Sequence, residues 1–278
     1  MNKLLVFQTD FGLNDGAVSA MEGVCFSVDR DLNIRHLTHN ITPYNIFEAS
    51  YRLYQAISYW PEGTTFVSVV DPGVGSDRKS IVARTFNDQY IVTPDNGTLT
   101  HTAQHIGIKE VRNIREETNR LENSELSHTF HGRDVYAYTA ARLAADKISF
   151  EEVGEKMNVE DIVHLDLFGF KQIENGILGQ IDVLDIRFGH LWTSIPYEEF
   201  RNHGFELGDE ILVEIFHDDK KVYSHRIKYV RSFSDVDIME PLVYMNSVYT
   251  MAIALNQQSF SETYNIGSGQ GWTVAFIR

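Results

Sequence analysis

Hydrophobic and polar positions change their rhythm near residue 165. Before that point strands and helices alternate. Leu4 to Thr9 is a short apolar run ending in polar residues, the pattern of a buried strand. Gly16 to Val28 places small and apolar residues at helical spacing, and Asn33 to Leu37 reads as a second strand. Ile46, Ser50, Leu53, Ile57 and Trp60 recur at three- and four-residue steps, which predicts an amphipathic helix stopped by Pro61. Thr65 to Val70 is a β-branched strand, and Ser80 to Phe86 and Gln89 to Thr93 are two more around the turn Asn87-Asp88. His131 to Lys147 is an alanine-rich helix. This alternation predicts an α/β domain with a largely parallel sheet.

From Ile173 onward short strands are separated by turn signals, with little helix. Ile177 to Val183, Leu191 to Ile195, Ile211 to Phe216, Val222 to Val230 and Tyr249 to Leu255 are the clearest. They predict a smaller all-β barrel or sandwich. The expected domains are residues 1–165 and 173–278, with the boundary at Leu165 to Gln172. The 278 residues are 43% hydrophobic, enough for packed cores.

Charge narrows the partners. A formal net charge of −15 at pH 7, with no run of Lys and Arg, argues against nucleic acid and anionic membrane surfaces. It suits a cationic small molecule, although most of it serves solubility. Cys25 is the single cysteine, so no internal disulfide forms, and its apolar helical setting reads as core packing and not as a nucleophile. Met1 to Asp10 lacks the basic and apolar regions of a secretion signal, and no stretch is apolar enough to span a bilayer. A soluble cytoplasmic protein is the expectation.

Ligands of open α/β sheets bind beyond the carboxyl ends of the strands, so polar residues just after strands are the candidates. Three segments qualify. In Thr9-Asp10-Phe11-Gly12-Leu13-Asn14-Asp15, Asp10 is placed to accept hydrogen bonds from both hydroxyls of a ribose. Asp15 is equally readable as a ligand counter-charge or a helix cap. In Val70-Asp71-Pro72-Gly73-Val74-Gly75-Ser76-Asp77-Arg78, an acid and an arginine face each other across a flexible loop, which is also the pattern of an ordinary surface ion pair. In Thr129-Phe130-His131-Gly132-Arg133-Asp134, His131 opens a helix, where the dipole disfavours its charged form and keeps it a proton acceptor; taken alone, the segment reads better as a packed histidine followed by first-turn surface charges. The pairs His36/His39 and His101/His105 lack a third metal ligand and read as surface or strand-end residues. Asn265-Ile266-Gly267-Ser268-Gly269-Gln270-Gly271 leads into a strand, Trp272 to Ile277, and so fails the dinucleotide fingerprint.

Together these segments resemble the S-adenosylmethionine hydrolases (adenosine-forming), or SAM hydroxide adenosyltransferases, relatives of fluorinase and chlorinase. The resemblance spans the chain. It rests on Thr9-Asp10-Phe11-Gly12, Thr42-Pro43, Asp71-Pro72-Gly73-Val74-Gly75 with Arg78, and Thr93-Pro94-Asp95-Asn96-Gly97. It continues through Thr129 to Asp134, Asp185-Ile186-Arg187-Phe188-Gly189 and Asn246-Ser247. It implies a C-terminal barrel, a homotrimer with ligand between neighbouring subunits, S-adenosylmethionine as substrate, adenosine and methionine as products, and no cofactor or metal. It implies that Asp10 holds the ribose, that Asp71, Arg78 and His131 bind and activate water, that Phe233 packs on adenine, and that Asp15 and Ser247 meet the amino-acid end. Tyr44 stands where fluorinase has a tryptophan near the ligand.

Two features mark this chain within the resemblance. His190 follows Phe188-Gly189 where the family has asparagine at a ligand-contacting position. Gly132 takes the place of a halide-binding serine, and Asp71 that of a tyrosine; a carboxylate repels a halide, so hydrolysis is favoured over halogenation. The alternatives are a halogenase, a non-catalytic adenosine binder and a hydrolase of the glycosidic bond.

Overall fold

The computed structural model describes residues 3–278, and its contacts divide into two compact units that meet in sequence between Leu165 and Asp166. The first unit runs β1 (Leu4–Thr9), α1 (Ala17–Val28), β2 (Asn33–Thr38), α2 (Ile46–Ile57), β3 (Thr65–Val69), β4 (Ser80–Thr85), β5 (Tyr90–Pro94), α3 (Thr100–His105), β6 (Ile108–Ile114), α4 (Tyr138–Ala144) and β7 (Gly154–Met157). The sheet order is β2-β1-β3-β5-β4-β6-β7. β2, β1, β3 and β5 run parallel, and β4, β6 and β7 extend the sheet antiparallel.

Period-two alternation sends side chains to two cores. Leu5, Phe7, Val67, Val69 and Val92 pack with Met21 and Cys25 of α1 and the alanines of α4. Val6, Phe66, Ile81, Ala83 and Ile91 pack with Leu53 and Ile57 of α2 on the other face. Strands buried on both faces explain the continuous apolar runs of β1 and β3. Cys25 is fully buried and its thiol donates to the Ala137 carbonyl, as its core reading requires. Helix α2 starts where the Asn45 side chain accepts the Glu48 N–H at 3.0 Å.

The alanine-rich helix differs from its expectation. Gly132–Ala137 forms a π-helical turn, and only Tyr138–Ala144 is α-helical. Such turns are wider than an α-helix and recur at functional sites.

The second unit runs β8 (Phe170–Ile173), β9 (Gly176–Leu184), β10 (Leu191–Pro196), α5 (Tyr197–Asn202), β11 (Glu210–His217), β12 (Lys220–Tyr229), β13 (Pro241–Met245), β14 (Thr250–Leu255), α6 (Phe260–Tyr264) and β15 (Trp272–Ile277). The order β10-β14-β13-β12-β11-β15-β9 closes on itself through β9–β10 pairing, which makes a barrel and decides against a sandwich. β8 lines the early part of β9, Gly176 to Gly179, and β10 its later part. Ile181, Val213, Ile215, Val243, Ile253 and Phe276 fill the interior. The Asn265–Gly271 segment is the loop before β15, as read from the sequence.

Candidate active site

Pairing of β1 with β3 sets Thr9 opposite Val69, so Asp10 and Asp71 follow neighbouring strand ends. The Asn96 side chain donates to the Val70 carbonyl at 2.8 Å and fixes the backbone just before Asp71. Asp95 accepts the Val163 N–H at 2.9 Å, so the Asp95-Asn96 motif is structural support for this strand end.

A cleft of about 380 Å³ opens there. Asp10, Tyr44, Asp71 and His131 line it, with Phe11, Pro43, Val69, Val74, Thr129, Phe130 and Gly132. Asp10 accepts the Tyr44 N–H at 2.9 Å. Tyr44 has φ +69°, and its ring is 72% exposed at the mouth.

Asp71, Arg78 and His131 come together. Arg78 Nε donates to Asp71 Oδ1 at 2.8 Å and Nη2 to Oδ2 at 2.5 Å, a two-pronged pair. The two side chains are only 10% and 6% exposed, which rejects the surface ion-pair reading. Arg78 Nη2 also donates to His131 Nδ1 at 3.1 Å. A guanidinium cannot accept, so Nδ1 is bare and the imidazole proton sits on Nε2. That Nε2 is buried and has no hydrogen-bond partner. Burial, opposed by Glu116 and reinforced by Arg78, holds the imidazole below its ordinary range. Desolvation thus leads where the sequence pointed to the helix dipole, and the ring precedes a π-turn.

Several supporting residues escaped the sequence reading. Arg78 Nη1 donates to Ser80 Oγ at 3.0 Å, and the guanidinium lies 5.5 Å over the Tyr136 ring. Ser80 in turn donates to Glu116, which binds Arg120 at 2.9 Å. Arg120 donates to the Ser127 carbonyl at 2.7 Å, tying down the loop that delivers His131. Only the two-residue step from Arg78 to Ser80 and the four-residue step from Glu116 to Arg120 hinted at this. Gly132 is needed for close approach: a Cβ there lies 3.2 Å from the Phe11 ring. Asp15 is exposed outside the cleft lining and accepts the Ala17 N–H at 2.9 Å, a helix-start bond.

One histidine of each pair, His36 and His105, is exposed, as a surface residue should be, and the other is not. His39 and His101 are each 4% exposed, and each is bonded within the fold. Among the described residues no group of three or more His, Cys, Asp or Glu is disposed to hold a metal ion, and no helix is long and apolar enough to cross a membrane.

On the barrel, His190 stacks between Phe188 and Phe233, with ring centroids 5.7 and 5.1 Å away. Tyr244, not anticipated, closes the cluster: its hydroxyl lies 3.2 Å from His190 Nδ1. Burial lowers the His190 pKa, with Asp185 opposing. Ser247 is exposed in the turn between β13 and β14, which is organised by Asn246.

Comparison with known proteins accords with this geometry. Residues 5–154 match the SAM hydroxide adenosyltransferase N-terminal domain, and residues 179–273 match its C-terminal domain. An (R)-S-adenosyl-L-methionine hydrolase of Methanocaldococcus jannaschii is 34% identical across 83% of this chain and 80% of its own. A fluorinase of Actinopolyspora mzabensis is 25% identical across 98% and 96%. A crystal structure of an uncharacterized conserved protein from Thermotoga maritima superimposes with a TM-score of 0.89 at 32% identity, covering 99% of this chain and 100% of that one. With both domains matched in order over most of its length, the chain belongs to the SAM hydroxide adenosyltransferase family.

Proposed function

We propose that this protein hydrolyses S-adenosyl-L-methionine to adenosine and L-methionine, with Asp71, Arg78 and His131 holding the attacking water. The observation that carries the reading is the buried Asp71–Arg78–His131 cluster, of which Asp71 and His131 line the cleft, with the His131 Nε2–H unpartnered. A water oxygen is a suitable acceptor for that hydrogen.

The chemistry asks little beyond placement. The water oxygen forms a bond to the ribose 5′-carbon, and the carbon–sulfur bond breaks with its electron pair going to sulfur. The positive sulfonium thereby departs as neutral methionine, so no anion develops on the leaving side. Holding the water in line removes much of the entropic barrier. Arg78 stabilises the hydroxide character that grows on the water. The proton the water loses passes to Asp71, the anion of the cluster. His131 directs the water oxygen through its Nε2–H. The reaction as written calls for no cofactor and no metal.

Asp10 is assigned to the ribose hydroxyls and Tyr44 to the cleft mouth. Phe233 and His190 are assigned to adenine, and Ser247 and Asp15 to the amino-acid end. Assembly as a homotrimer belongs to the same reading. Halogenation is disfavoured, because Asp71 repels a halide and Phe11 crowds the Gly132 position.

Incubation with S-adenosylmethionine followed by chromatography tests the reading, with Asp71→Ala as control and chloride varied. Adenosine and methionine from the wild type, independent of chloride, are expected. Release of adenine, a halogenated nucleoside, or no product overturns it.

A further inference from the structure

A second hydrogen-bonded line lies behind the cleft and takes no part in the reaction as written. Glu22 of α1 accepts from His36 Nε2 at 3.0 Å. His36 Nδ1 lies 2.7 Å from His39 Nε2, and His39 Nδ1 lies 2.8 Å from Thr9 Oγ1. Thr9 Oγ1 accepts the Phe11 N–H at 3.2 Å, and the His39 carbonyl accepts the Gly12 N–H at 2.8 Å. Side-chain exposure is 32% at Glu22 and 39% at His36, and falls to 4% and 0% for the His39 and Thr9 residues.

A carboxylate only accepts, so His36 donates from Nε2, and as a neutral ring it leaves Nδ1 bare. His39 must then donate from Nε2, which leaves its own Nδ1 bare. That bare nitrogen takes the Thr9 hydroxyl proton, and a Thr9 lone pair takes the Phe11 N–H. In this order every donor of the line meets an acceptor. Burial pushes the His39 pKa down to about 4 and keeps this ring neutral. A carboxylate selecting the tautomer of a histidine that acts elsewhere is a recurrent device.

We propose that the chain Glu22–His36–His39–Thr9 positions the Asp10 turn for the ribose, with His39 as a positioning residue that grips the turn by both its ring and its carbonyl. The turn is clamped at Phe11 through Thr9 and at Gly12 through His39, so Asp10 presents its carboxylate from a backbone fixed on its C-terminal side. Gly12, at φ +67°, supplies the left-handed conformation this needs. The inference rests on the reading of Asp10 as the ribose-binding carboxylate.

Thr9→Val keeps the side-chain shape and removes the hydroxyl. Initial rates of adenosine release against S-adenosylmethionine concentration are expected to show KM raised about tenfold with kcat within about twofold. Thr9→Ser restores the hydroxyl and is expected to bring KM back. Glu22→Gln, which frees the tautomer without breaking the chain, raises KM about threefold. An unchanged KM in Thr9→Val, or a loss that Thr9→Ser does not repair, overturns the proposal. Calorimetric adenosine binding by the same variants separates this from the hydrolase reading. A wild type that binds adenosine without turnover refutes the hydrolase, and the chain is then judged by whether Thr9→Val weakens adenosine binding about tenfold. Equal affinity across the variants overturns it, and a wild type that neither binds adenosine nor turns over overturns both.

Discussion

The cleft of the α/β unit and the ring cluster of the barrel are built from opposite materials. Around Asp71 and Arg78 the groups are charged, buried and bonded nearly to saturation. Around His190 they are flat rings: Phe188, Phe233 and Tyr244 surround an imidazole kept neutral by burial. A preorganised ion pair acts on charge that develops during a reaction, whereas stacked rings act equally on bound and reacting ligand. On the proposed reading the first material governs turnover and the second affinity.

Substitutions can break that division. Arg78→Ala is expected to cost about 10²–10³ in kcat, the scale of one electrostatic contact, and Arg78→Lys to recover little because an ammonium cannot span both Asp71 oxygens. Single-turnover rates measure this, and a kcat near wild type means the water is held elsewhere. Acid provides the next largest effect. Protonating His131 puts a hydrogen on Nδ1, against the Arg78 donor. Because its pKa is lowered, the neutral form persists below the usual histidine value of about 6.5. A profile of kcat against pH is expected to stay level through that value and to fall only further toward acid, at most about tenfold per pH unit. A break above 6.5 contradicts the assigned tautomer.

His190→Ala sharpens the contrast from the other side. Loss of the middle ring is expected to raise KM roughly threefold to tenfold with little change in kcat, the range of one aromatic stacking contact. A kcat loss as large as that of Arg78→Ala erases the distinction between the two regions. Gly132→Ser has the smallest predicted effect. The new Cβ meets Phe11 at 3.2 Å, and displacement of the ring by a few tenths of an ångström is expected to lower kcat/KM about threefold. No chloride-dependent product is expected, because Asp71 remains beside the cleft; its appearance in chromatography makes Gly132 the determinant of hydrolysis over halogenation.

Much of this molecule is written in local pattern. Strand β1, helix α2 and strand β3 follow from apolar runs and three- and four-residue steps, because one strand or helix is decided by its own side-chain periodicity. Motif resemblance also carried Asp71, Arg78 and His131, the first and last of them 60 residues apart, to one expected site. The π-turn at Gly132 stayed hidden, since its spacing of apolar residues is that of an ordinary helix and only the backbone bonding differs. Strand β6 was missed because the alternating charges of Lys109, Glu110 and Arg112 mask its few buried positions.

Sequence by itself determined most of the elements and the two-part organisation. Only the tertiary structure decided which atoms of the site residues are spoken for. The Arg78 guanidinium selects the His131 tautomer, and the neighbouring strands β2 and β1 bring His36, His39 and Thr9 into one line ending on Glu22 of α1. Proton positions depend on partners distant in sequence and on burial, and neither is encoded in the spacing of residues along a chain.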